Sequence, residues 1–523
     1  MNRGWTAIVW SLAVAAALVL GTANVFLGEL NQDEGWYLYA ARLVSEGQML
    51  YRDFAFTQAP LLPLAYSLVQ PLVEWGGLGA GRAVTGGLTL LTAGLAALVA
   101  RRLAPRELAG WAGAAAFAQA AVNVYQSYFG TVVKTYALCG FLLTAGAWLL
   151  VLARDYRSFM LHALAGLLLA GAAGTRLSAG VLLPVAGIYL LWQRERCGPS
   201  AWFAFGVGGA VGLLVLFVPF IMAAPEPFRT FVLEYHAARD AGSWFSQLIY
   251  KAGCLSRVVQ AYTVAVGLGV FLILARWARG TQAEPMDKLA LTLWLGLAAM
   301  ALVHLSAPFP YDDYQVPLYP LMAALLAAGL ARVVAPAPER WKPAVAVALL
   351  LINAAAAFAS PVNQGWMVIG RDRIWWRLRE QPALLQLRAV ARDLNVRSGQ
   401  ATMLLTQDTY LAVETGLRVP HGLEMGPFSY YPGLTREQAS RLNVVNREML
   451  EELIRGAAAP VAAFSGYSFA MSAPAVERLS AEETLGWWAL VETHYTPVTE
   501  VADFGQGPTP LRVYERPSGG GAR

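Results

Sequence analysis

Charged side chains are scarce in this sequence. They make up 14% of its 523 residues, where an average soluble domain carries roughly 25%. Hydrophobic residues reach 57% and the mean hydropathy is +0.46. That balance excludes a chain solvated throughout and implies a polytopic membrane protein. Cysteine is sparse as well. Cys139, Cys197 and Cys254 stand far apart and form neither a CxxC pair nor a Cys/His cluster, which excludes a locally spaced thiolate or redox motif. No block of Lys and Arg is present either. The formal net charge of +5 is therefore not the footprint of a nucleic-acid partner. The basic residues sit in short loops between apolar runs, where they report topology.

A spanning helix needs about 20 mostly apolar residues. Eleven stretches are candidates, at about 5–28, 80–101, 108–127, 131–153, 159–175, 178–193, 201–223, 257–276, 288–306, 316–334 and 343–360. The first follows Arg3, is too long for a signal-peptide core and lacks a cleavage site, so it is expected to be a retained span. With the N-terminus inside, every inner loop is short and basic: Arg101, Arg102 and Arg106; Arg154 and Arg157; Arg194 and Arg196; Arg276, Arg279 and Lys288; Arg332, Arg340 and Lys342. An odd number of spans puts everything after 361 outside. The expected architecture is a transmembrane module over 1–360, with a first outer loop at 29–79, followed by an extracytoplasmic α/β domain over 361–523.

Residues 59–75, "APLLPLAYSLVQPLVEW", challenge this count. If they spanned, Arg101 and Arg102 would face outward and every later loop would invert. Pro60, Pro63 and Pro71 favour helices lying on the membrane surface instead. Trp366, Arg371, Trp375, Trp376 and Arg377 predict an interfacial helix at about 370–397. Further on, 401–407 and 459–465 predict short buried strands. Residues 436–456 predict one amphipathic helix, and 499–517 a terminal hairpin with a Gly/Pro turn. The final "SGGGAR" predicts a disordered tail.

A charge at membrane depth costs roughly 2.5–3.5 kcal/mol on insertion scales, so each one there needs a reason. Asp33 and Glu34 follow the first span by about one turn. One reading makes them acids in the first turn of a helix, where they are favoured. The other makes them a general base or the ligands of a divalent metal at the water–lipid boundary. Asp53 in the same loop supports the second reading, as do the aromatics around it, including Trp36, Tyr37 and Tyr51, which suit sugar rings.

Arg176 interrupts an apolar run of about 32 residues that would form a helix about 48 Å long, more than a bilayer needs. A break at Thr175–Arg176 leaves two halves of about 16 residues and sets the arginine below the outer surface. A lipid phosphate matches its guanidinium fork; snorkelling to the headgroups, or pairing with Asp33 or Glu34, is the alternative. Three further features carry charge. "HLSAPFPYDDYQVPLYPLM" offers His304, Asp312, Asp313 and Tyr314, either as a metal or acceptor site or as a solvated turn. "FRTFVLEYHAARDAGSWF" offers Arg229, His236 and Arg239, either for a second charged group or on an exposed amphipathic helix. Lys134 adds a cation at the outer edge of the fourth span.

This pattern resembles the GT-C membrane glycosyltransferases, in particular their bacterial protein-mannosyltransferase and aminoarabinose-transferase branch. The residues that carry the resemblance are Asp33-Glu34, Tyr37, Ala40, Gly47, Tyr51, Pro60 and Leu61-Leu62, with the later "YQVPLYP". The resemblance implies an inverting transfer of a sugar from a polyprenyl phosphate or diphosphate carrier. The transfer would occur outside the bacterial inner membrane, to a lipid, glycan or protein acceptor. It gives Asp33 the task of deprotonating or orienting the acceptor hydroxyl, with Glu34 supporting it or sharing a divalent metal. It places Arg176 beside the lipid phosphate.

Two departures stand out. Lys134 sits where relatives often have an acid, and Asp312-Asp313 where they often have His or Arg, so metal dependence and donor type stay open. Lys134 joins Arg176 as a candidate for the donor phosphate. Tyr37, Tyr51, Asp53, His236, Arg239, His304, Asp312, Asp313 and Tyr314 are candidates for substrate contacts. Two other readings compete. A transporter or flippase for lipid-linked glycans would keep ionisable groups near the midplane within broken helices, whereas these acids cluster on the outer side. An inactive relative that only binds glycan would keep the same motifs.

Overall fold

The structure is a computed structural model that describes residues 3–235, 243–280, 286–338, 340–364, 381–469, 479–506 and 509–517. Its contacts divide into two compact units. One comprises Met1–Val25, Ala83–Leu216 and Ala241–Ile369; the other comprises Phe26–Arg82, Phe217–Asp240 and Gly370–Arg523.

The apolar stretches are helical, as lipid demands, because a helix satisfies its own backbone hydrogen bonds. Along the chain run α1 (Arg3–Leu27), α2 (Gln32–Ser45), α3 (Leu61–Ser67), α4 (Gln70–Leu103), α5 (Ala109–Ala121), α6 (Val124–Phe129) and α7 (Thr135–Tyr156). Next come α8 (Phe159–Thr175), α9 (Leu182–Trp192), α10 (Ala201–Ala223), α11 (Trp244–Ala261), α12 (Thr263–Arg279), α13 (Lys288–Ser306), α14 (Tyr319–Val334) and α15 (Trp341–Ala359). Every expected span falls on one or more of these helices, and the chain is an integral membrane protein. Length sorts them, however. Six helices among the described residues are long and apolar enough to cross a membrane alone: α1, α4, α7, α10, α13 and α15. The pair α11 and α12, bent by 90°, makes a seventh if it is one span. Helices α8, α9 and α14 are shorter apolar helices of 10–17 residues. Eleven spans of equal standing are therefore not what the helix lengths show.

Small residues pack these helices. Ala13, Ala17, Ala93, Ala97, Ala118, Ala121 and Ala323 share one core with Phe117 and Leu350. Lipid tails are as apolar as the side chains, so close backbone approach replaces the hydrophobic drive. Large apolar residues such as Leu12, Leu18 and Val19 lie on the exposed side instead. Between the helix ends, Arg102 pairs with Asp155 at 2.7 Å and Arg154 with Asp287 at 3.0 Å.

In the second unit, α3 has seven residues, about 10 Å of helix and far too short to span. The backbone breaks again at Gly77, whose φ of 61° lies in the left-handed region. Between these points Leu68 and Trp75 are 82% and 89% exposed, an apolar edge suited to a membrane surface. The C-terminal part contributes α16 (Ala383–Ser398), α17 (Thr409–Thr415), α18 (Arg436–Arg441), α19 (Arg447–Arg455) and α20 (Ala481–His494). Its sheet runs β1 (Leu405–Thr406), β2 (Val461–Phe464), β4 (Thr509–Glu515), β3 (Thr496–Phe504), with β1 and β2 parallel and the other pairs antiparallel. Both expected strands and the terminal hairpin are present.

The single helix expected over 436–456 is instead two helices. Asn443 turns the chain with a φ of 55°, and the Asn446 side chain accepts from the Met449 N–H to cap α19. The helix expected at about 370–397 is described only from 381 onward, and there it buries Leu384, Leu387, Val390 and Leu394. The expected "SGGGAR" tail lies outside the described residues.

Candidate active site

The sequence-predicted site residues fall into two groups, one in each unit. In the second unit, the start of α2 is set by Asn31. Its side chain accepts from the Asp33 N–H at 3.1 Å, and the Glu34 carboxylate accepts from the Asn31 N–H at 3.1 Å. This reciprocal capping satisfies helix donors that would otherwise be orphaned. Glu34 also meets Arg82. The guanidinium donates to it through Nε at 2.8 Å and through Nη2 at 2.6 Å, a bidentate fork. Glu34 is 0% exposed and Arg82 1%. Arg82 further donates to the carbonyls of Gly28 and Glu29 at 2.9 and 2.7 Å, so it locks the turn between α1 and α2.

Asp33 is the next residue round the helix, about 100° away. It is half-buried, and its Oδ1 accepts from the Trp36 indole N–H at 3.2 Å. Adjacent acids thus occupy opposite surroundings, Glu34 in a sealed ion pair and Asp33 at the rim.

The C-terminal segment grips the same helix. Gln506 Oε1 accepts from the Gln32 N–H at 2.9 Å, and the Gln32 amide donates to Asp408 Oδ1 at 3.4 Å. Asp408 also accepts from Tyr410, from the Ser465 hydroxyl and from the Ser465 N–H, at 2.8–2.9 Å. Burial pushes its carboxyl up, and these donors pull the other way. At Gly35 a Cβ would lie 2.3 Å from the Tyr410 nitrogen, so only glycine permits this approach. Further along, the Val419 N–H donates to the Tyr39 hydroxyl at 3.1 Å and Arg42 donates to the Leu417 carbonyl at 3.1 Å.

The aromatics around the acids are buried. Tyr37 is 4% exposed and Tyr51 is 0%. Tyr37 stacks on Trp36, and Tyr51 packs edge-on against Phe56, Phe220 and Phe228. Rings of this size gain most by leaving water. Asp53 is engaged as well, accepting from Arg52 at 2.8 Å and from the Met49 N–H at 2.7 Å. The Arg52 hydrogen bond holds its carboxyl below the usual range. Nearby, Glu424 raises His421 above its ordinary value through a 3.0 Å contact.

In the first unit, six of the predicted residues converge. Helix α8 stops at Thr175, Arg176 is extended at φ −142°, and a short turn over Leu177–Val181 leads into α9. The break expected from the length of the apolar run is there. The Arg176 guanidinium carbon sits 4.9 Å from the ring centroids of both Tyr136 and Tyr314, and Nη1 donates to Thr135 at 3.0 Å. Two ring faces stabilise the cation where water is scarce.

His304 Nε2 lies 2.9 Å from the Ser178 hydroxyl, and its ring is 5.5 Å from that of Tyr314. Lys134 pairs with Asp313 at 3.5 Å, while Asp312 accepts from Arg257 at 3.2 Å and from Tyr125 at 3.0 Å. Lys134 and Asp313, two residues that the sequence sets far apart, thus make one ion pair. Among the described residues, the cations Lys134, Arg176 and Arg257 and the carboxylates of Asp312 and Asp313 meet here. His236 and Arg239 lie outside the described residues.

Sequence reasoning missed Arg82, although the argument that found Arg176 applies to it, since it too is a lone charge in an apolar run. Asp408 and Gln506 gave no signal, because nothing in their spacing points to α2. A metal at Asp33 and Glu34 does not fit the residues present. Arg82 occupies both Glu34 oxygens, and no group of three or more His, Cys, Asp or Glu suited to a metal occurs among the described residues.

No family model and no curated protein matches the chain. Solved structures do. ArnT from Cupriavidus metallidurans bound to undecaprenyl phosphate is similar at a TM-score of 0.60 and 16% identity, covering 98% of each chain. Its apo state gives 0.58 and 17%, over 96% of this chain and 97% of that one. The Archaeoglobus fulgidus oligosaccharyltransferase in its apo form gives 0.54 and 12%, over 99% of this chain and 75% of that one. The chain shares the fold of these proteins.

Proposed function

We propose that the chain is an inverting glycosyltransferase that moves a sugar from a polyprenyl phosphate or diphosphate carrier to an acceptor on the extracytoplasmic side. The observation that carries this reading is Arg176, held at a helix break by Tyr136, Tyr314 and Thr135. A basic site at a break between two short apolar helices suits a phosphate whose lipid tail stays in the bilayer. The fold agrees, since the ArnT structure was solved with undecaprenyl phosphate.

The chemistry follows from the residues. Asp33 accepts the acceptor's hydroxyl proton as that oxygen bonds to the anomeric carbon. The bond from that carbon to the phosphate oxygen breaks, and the phosphate leaves with the electron pair. Arg176 and Lys134 stabilise the charge that develops on it. A single displacement inverts the configuration. Glu34 holds the turn that carries Asp33, its oxygens engaged by Arg82 and Asn31.

The test is transfer from a labelled lipid-linked sugar pool in membranes. Asp33→Asn is expected to lower transfer by about 100-fold or more, the usual worth of a positioned base. Transfer equal to wild type would remove Asp33 from the chemistry. Arg176→Ala is expected to weaken donor binding, and unchanged donor affinity would return Arg176 to a structural role.

A further inference from the structure

The catalytic reading leaves one part of the molecule without a task. The turn before Asp33 is gripped by residues more than 370 positions away in sequence. Gln32 is 4% exposed, Gln506 3% and Asp408 1%. A buried backbone N–H must find an acceptor. Gln32 finds it in a side chain from the end of the chain rather than in its own turn. Its side chain then reaches Asp408, which Ser465 and Tyr410 hold fixed with three further hydrogen bonds. Ser465 follows β2 and Gln506 lies in the β3–β4 turn, so the reference frame is the sheet itself. Gly35, two residues after Asp33, has given up its side chain to let Tyr410 approach.

We infer that Gln506 and Asp408 are positioning residues that fix the Asp33 carboxylate by clamping Gln32. The inference rests on the reading of Asp33 as the base. It gives the C-terminal sheet a part in transfer that needs no contact with donor or acceptor. Three anchors then fix the first turn of α2: Arg82 through Glu34, Gln506 through the Gln32 backbone, and Tyr410 against Gly35. A freed turn would leave donor binding intact and misplace only the base. Displacements near 1 Å from such remote changes cost about 100-fold in rate.

The experiment compares Gln506→Met, which keeps length but loses the acceptor, with Gln506→Glu, which keeps an acceptor oxygen. Transfer is measured against labelled polyprenyl-phosphate sugar in membranes, beside wild type and Asp33→Asn. Backbone exchange is followed in the peptide covering 29–38. Gln506→Met is expected to lose about 10- to 100-fold in kcat at unchanged donor KM, with faster exchange at the start of α2. Gln506→Glu is expected to restore most of both. Full turnover in Gln506→Met, a change confined to donor KM, or equal loss in the two variants would overturn the clamp while leaving Asp33 as base. An active Asp33→Asn would overturn both readings, and the exchange data would then report only a structural tie.

Discussion

Two neighbouring acids show how far one residue's environment decides its role. Glu34 is sealed with Arg82, and Asp33 stays at the rim. A buried ion pair gains little net stability when whole, yet breaking it strands a charge. Arg82→Met is therefore expected to destabilise the protein by about 3–5 kcal/mol. The double variant Arg82→Met/Glu34→Met should recover most of that loss. Thermal unfolding in detergent measures both, and a double variant no better than the single one would refute the stranded-charge account. The pair at 134 and 313 makes the same point from the other side. Each looks like a departure in sequence, and together they are one contact. Pairing of this kind is invisible to spacing, since the partners lie 179 positions apart.

Among the elements, α2 matters most. Its start was legible: "NQDEGWYLYAARLVSEG" places acids in a first turn, and the helix begins there. Its neighbours were not legible, because α17 approaches through a glycine that carries no sequence signal of its own. Gly35→Ala would bring a Cβ to 2.3 Å from backbone at Tyr410. We expect it to cost about 1–3 kcal/mol, as overpacking does. A fall in the unfolding midpoint together with reduced transfer would bear this out, and an unchanged midpoint would contradict the close packing. The break at Arg176 was legible too, because 32 apolar residues exceed what a bilayer needs in one helix. The break at Asn443 was missed. The amphipathic pattern of 436–456 continues across it, and pattern alone does not reveal a left-handed residue.

For the whole molecule, the charge bias makes a direct statement about sidedness. The natural cysteines are all buried, so an introduced one can be read alone. In intact cells, a membrane-impermeant maleimide is expected to label Glu437→Cys and to spare Glu107→Cys until the membrane is opened. The reverse pattern would invert the topology and place Asp33 on the cytoplasmic side. Composition by itself determined that this is a helical membrane protein. The cost of charge in lipid singled out Asp33, Glu34, Arg176 and Lys134, because hydropathy and span length are local properties of a chain. Only tertiary structure decided which of two adjacent acids is sealed, that Tyr37 and Tyr51 are core, and that the last strands hold the first turn after the first span. Those outcomes depend on tertiary contacts, from 48 positions apart for Arg82 and Glu34 to 474 for Gln32 and Gln506, and no local pattern encodes them.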